Sequence, residues 1–89
     1  EAPPLVVQEY IAYVAQLSTM DPSIRATILD NNSVPAYTDV DELSSTYYAL
    51  DPSGFGIKAY RHFISLDQPA QFLRDLLAGA ITPADIGTE

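Results

Sequence analysis

The chain predicts an all-α fold, a compact single-domain bundle of four to five short helices without disulfides. Three observations carry that expectation. The longest stretch free of proline and glycine, residues 5–20 (LVVQEYIAYVAQLSTM), places Val7, Tyr10, Ile11, Val14 and Leu17 at the spacing of one helical face. Helix-start signals recur at Asp21-Pro22 and at Asp67-Gln68-Pro69. No cysteine is present, which removes disulfides, thiolate nucleophiles and cysteine-ligated zinc together.

The first helix is the organising element. Val6, Tyr13 and Met20 widen its apolar face, leaving Gln8, Glu9, Gln16, Ser18 and Thr19 for water. Pro3-Pro4 stops it extending backwards. A helix this apolar belongs at the centre of a cluster. The second helix starts with Asp21 as N-cap and Pro22 at its first position, carries Ile24, Ile28 and Leu29, and ends at Asn31-Asn32-Ser33. Val34-Pro35-Ala36 reads as a connector.

Thr38 reads as the cap of a third helix, with Asp39, Asp41 and Glu42 near the positive end of its dipole. Val40, Leu43, Tyr47 and Leu50 form its apolar face. The acids fit helix-start chemistry, since the further oxygens and glycine of an EF-hand loop are missing. Residues 51–56 (DPSGFG) read as a turn, with Phe55 between two glycines. Residues 57–66 fit a helix better than a strand, because a lone strand would have no partner. The helical reading aligns Ile57, Tyr60, Ile64 and Phe63. Phe72, Leu73, Leu76 and Leu77 form a last strong face, Gly79 stops it, residues 82–85 suggest one more turn, and residues 82–89 read as a frayed tail. Asp-Pro-Ser occurs at both Asp21 and Asp51, and recurring cap chemistry explains the repeat as well as duplication does.

At 89 residues the chain fits one domain, residues 1–89, and buries somewhat more than about 60% of its unfolded surface. Its 47% hydrophobic content belongs to a globular protein. Twelve acids against Lys58, Arg25, Arg61 and Arg74 give a net charge of −8. That charge opposes nucleic acid and anionic membranes, while neutral membranes stay open as a partner. Glu1-Ala2 reads as the remnant of an incompletely trimmed secretion leader, and Asn31-Asn32-Ser33 is an N-glycosylation acceptor. Together they favour a secreted protein, with a cytoplasmic one as the alternative.

Candidate chemistry is sparse. His62 is the lone histidine and lies in the one locally basic stretch, beside Arg61 and near Lys58. It reads as a general base, as a pH-sensitive contact or, more plainly, as a surface or edge imidazole. One histidine without cysteine is poor material for zinc or copper, so no metal and no cofactor is expected. Phe55 reads either as a loop-tip contact or as a plug folded into the core. Six tyrosines suit protein interfaces or sugar stacking, or else fill the core with hydroxyls reaching water. Adjacent Tyr47 and Tyr48 cannot share a helical face, so at least one lies near the surface. The expected binding residues are Tyr48, Phe55, Tyr60, Arg61 and His62. The expected function is non-catalytic, through a protein partner or self-association. The alternative is a toxin-like or effector-like factor that acts on membranes or carries an apolar ligand.

Overall fold

The computed structural model describes residues 3–83. The expected leader remnant and residues 84–89 of the expected tail lie outside them. Five helices follow in chain order: α1 (Leu5–Thr19), α2 (Pro22–Asp30), α3 (Ser45–Leu50), α4 (Pro52–Ser65) and α5 (Pro69–Ala78), with a 3-10 turn at Val40–Glu42. No strand occurs among the described residues. The radius of gyration is 12.6 Å, against about 12 Å for a compact chain of this length.

Helix α1 is the centre, as its pattern requires. Val6, Val7, Tyr10, Val14 and Leu17 are buried, and Ile11 and Tyr13 pack on the core from its margin. Each aliphatic side chain so buried contributes about 1.5–3 kcal/mol of transfer free energy. Helix α4 lies against most of its length, and α3 and α5 touch its flanks. The core joins α1 to Tyr37, Leu43, Phe55, Ala59 and Leu76.

Helix α2 begins as expected. Asp21 accepts hydrogen bonds from the Ser23 and Ile24 amides and the Ser23 hydroxyl, with Pro22 at the first position. It buries no residue, however, and Ile24 is exposed.

The expected third helix is corrected into two pieces. Thr38 does not cap it; Thr38 donates its amide and hydroxyl to the two Glu42 carboxylate oxygens at 2.9 and 3.0 Å. Asp39 accepts from the Asp41 amide and closes the 3-10 turn. Leu43 is then extended and buried, and Ser44 opens α3 by accepting from the Tyr47 amide. These short polar side chains offer the backbone local partners that compete with one continuous helix. Leu50, expected on the apolar face, is 80% exposed.

A second correction concerns residues 51–56, which form the first turn of α4 and not a loop. Asp51 caps the helix by accepting from the Gly54 amide, and Pro52 occupies its first position. Glycine costs a helix interior about 1 kcal/mol relative to alanine, and packing outweighs that here. The Tyr13 ring lies against Gly56 where a Cβ would stand, while the Asp51 carboxylate and Tyr47 hydroxyl crowd Gly54 in the same way. Helix α4 continues through residues 57–65, in agreement with the helical reading, although Ile64 points out at 56% exposure. In α5, Leu76 is buried, Phe72 and Leu73 pack on the core, and Leu77 is exposed. Gly79 ends this helix in the left-handed conformation at φ 79°.

Candidate functional site

The five residues expected to bind do not form one patch. Phe55 sits inside the protein at 0% exposure, its ring centre 5.4 and 5.9 Å from those of Tyr48 and Tyr37, in edge-to-face geometry, and 6.4 Å from that of Tyr13. The loop-tip expectation is therefore corrected: its loop is a helix, and the ring plugs the core. Tyr48 is half-buried against it, and the Glu9 carboxylate beside its hydroxyl pushes the phenol pKa upward. Tyr60 is buried beneath the Arg25 guanidinium, 6.0 Å from the ring centre.

His62 is a further correction. It is neither a surface nor an edge imidazole but is 5% exposed, on the inner face of α4. Its Nδ1 lies 2.6 Å from the Tyr10 hydroxyl of α1, and Phe72 of α5 meets both rings, at 5.2 and 5.7 Å. Burial pushes the His62 pKa down and the Tyr10 pKa up, so both groups are neutral near pH 7 and share one hydrogen bond whose direction is set by the imidazole tautomer. Asp39 and Glu42 pull His62 weakly the other way. The pair joins α1 to α4 through one buried polar contact, and the Phe72 ring brings α5 against it.

The locally basic stretch dissolves on folding. Arg61 reaches across to α2 and donates from Nη2 to the carbonyls of Leu29 and Asn32, both at 2.9 Å. Lys58 lies over the faces of Tyr37 and Tyr47, at 4.9 and 5.7 Å. Arg25 likewise donates to the Leu17 carbonyl at the end of α1, at 3.1 Å. Both arginines thus meet the negative end of a helix dipole. Three of the four cations serve internal contacts, and the acids hold much of the surface.

Of the expected residues, Arg61 lines an open groove. The groove, of about 810 Å³, runs between the end of α2, the connector and the outer side of α4. Its apolar lining is Leu29, Val34, Pro35, Ala36 and Ile64, and Asp30 lines it as well. The sequence reading missed this surface because it assigned Ile64 to the inner face. The available signal was an apolar connector, Val34-Pro35-Ala36, where connectors are ordinarily polar. A second cleft, between Tyr13, Leu17, Met20, Ile28 and Ile57, holds only about 130 Å³. Ligand pockets for small molecules ordinarily run to about 300–1,000 Å³.

Among the described residues, no three His, Asp or Glu side chains gather as a metal site, and no helix is long and apolar enough to cross a membrane. No curated protein and no solved structure matches the chain. A family model does match, over residues 1–85. The chain belongs to that family, DUF6639, a family of unknown function.

Proposed function

We propose that this is a small, acidic, secreted domain that acts by binding protein, either a partner or a second copy, and not by catalysis. The observation that carries the reading is the groove beside α4. Five apolar side chains from three segments line one open concavity, and Ile64 within it is 56% exposed. Scattered exposed aliphatics need no explanation, but apolar residues grouped in a concave surface mark contact sites. The net charge of −8, with three cations engaged internally, favours partners whose contact surface is positive around an apolar centre. The exposed acceptor asparagine, Asn31, supports the secretory assignment. The rival reading, a membrane-active factor or apolar carrier, needs the face of α1 to be free, and that face is the one the other helices cover.

A photo-reactive side chain at position 64 tests the reading, with the same group at exposed Ala26 of α2 as reference. Cross-linking to a discrete protein or a second copy from position 64, and not from position 26, is the expected result. Equal or absent cross-linking at both positions rejects the groove as a binding surface. Sedimentation equilibrium separates the two kinds of partner, since self-association makes the mass concentration-dependent.

A further inference from the structure

We propose that Asn31 is an N-glycan acceptor and that its glycan stands at the mouth of the groove. The triplet Asn31-Asn32-Ser33 has the acceptor pattern. Folding treats its two asparagines differently. The Asn32 side chain donates to the Ile28 carbonyl at 2.8 Å and is turned back onto α2. Asn31 is exposed at the C-cap, just past the last residue of that helix, and its side-chain amide makes no hydrogen bond among the described residues. Ser33 is also exposed, and its hydroxyl makes no hydrogen bond among the described residues. Residues 33–36 make no main-chain hydrogen bond among the described residues, while the Asn31 and Asn32 amides donate to the Thr27 and Leu29 carbonyls, so an enzyme that draws in the acceptor has only the frayed end of α2 to open.

The donor is a lipid-pyrophosphate-linked oligosaccharide, the chemical class used for asparagine glycosylation. The Asn31 amide nitrogen bonds to the anomeric carbon of its first sugar. The bond from that carbon to the pyrophosphate oxygen breaks, lipid pyrophosphate leaves with the electron pair, and the amide gives up one proton. Asn31 lies between Asp30 and Ser33, which both line the groove, so the added sugars shield Leu29, Val34 and Ile64. The inference rests on the secretory part of the proposed function, and the glycan gates the surface that reading assigns.

The test is the intact mass of the chain secreted by a eukaryotic host from a supplied leader, before and after an amidase that removes N-glycans. One N-glycan is expected, released with aspartate left at position 31. Ser33→Thr should raise occupancy, Asn31→Gln and Ser33→Ala should abolish it, and Asn32→Ala should keep it, because that variant loses the Ile28 contact but not the acceptor. Wild type and Ser33→Thr both secreted at their unmodified mass would overturn the assignment, as would a glycan that survives Asn31→Gln. Because the leader is supplied, this failure leaves the natural compartment undecided. Cross-linking from position 64 in deglycosylated protein judges the groove separately.

Discussion

Two helices of this protein open on the same three residues and end in opposite situations. Asp21-Pro22-Ser23 starts α2 and Asp51-Pro52-Ser53 starts α4, each with aspartate capping and proline at the first helical position. Helix α2 buries nothing, whereas α4 buries Gly54, Phe55, Gly56, Ile57, Ala59, Tyr60 and His62. The cap sets where a helix starts and says nothing about its depth. Depth is decided by the residues that follow. Arg25 and Ala26 of α2 stand where α4 has Phe55 and Gly56, an aromatic plug and a glycine that admits the Tyr13 ring. Helix α2 is held from outside instead, by Arg25 on the end of α1 and Arg61 on its own last carbonyls.

The largest break in that contrast is Phe55→Ala. Truncating a fully buried aromatic should cost about 3–5 kcal/mol in denaturant unfolding. The partner change in α2, Ile24→Ala, removes a 54% exposed side chain and should stay within about 0.5 kcal/mol. Comparable losses at the two sites would show that α2 is as much a part of the core as α4. Next in size is Arg61→Ala, which removes charged hydrogen bonds from two carbonyls and should cost about 1.5–3 kcal/mol. Hydrogen exchange should quicken in α2 while α1 and α4 keep their protection. Uniform quickening would mean that Arg61 supports the whole fold and not one helix.

The same contrast explains what could be read from the residues. Helices α1 and α5 were legible because their periodic apolar faces lack competing signals, and Gly79 marks a real left-handed stop. Residues 51–56 were not, since local preference assigns Gly-Phe-Gly to a turn while the packing of Tyr13 on Gly56 exists only in the folded molecule. The burial of His62 had a signal that went unused. Phe55, Ala59 and His62 are spaced i, i+4, i+7, so a helix carried back to residue 52 turns all three inward. The misplaced start hid the histidine. Of the groove only the apolar connector was legible, because the concavity itself is made by α2, that connector and α4 meeting through Arg61, a long-range contact that no periodicity encodes.

A finer comparison exchanges the two caps. An N-cap aspartate replaced by alanine costs about 1 kcal/mol. Asp51→Ala should lower global stability by that amount, because the first turn of α4 holds Phe55 in the core and Asp51 also accepts from the Tyr47 hydroxyl. Asp21→Ala should leave the unfolding midpoint nearly unchanged and quicken amide exchange within residues 23–31 alone. Equal shifts of the midpoint would contradict the division between a core helix and an attached one.

The smallest effect is a slope with pH, and it also belongs to α4, whose His62 is a buried titratable group while α2 has no buried side chain. The unfolded histidine titrates near about 6.5, and burial holds the folded value below that. Above pH 6.5 both states are neutral, and the full contribution of the Tyr10 contact is present. As pH falls below 6.5 the unfolded chain takes up a proton that the folded chain still refuses, so stability declines until the folded value is reached. Asp39 and Glu42 oppose the depression and narrow this window without reversing its sign. Asp21 and Glu42 have carboxyl pKa values lowered by local hydrogen bonds and therefore act in a more acidic range. Unfolding free energies between pH 7 and pH 5 should fall in wild type and flatten in His62→Gln, with Arg61→Ala retaining the wild-type slope from a lower starting point. A slope that survives His62→Gln would assign the acid sensitivity to groups outside the α1–α4–α5 contact.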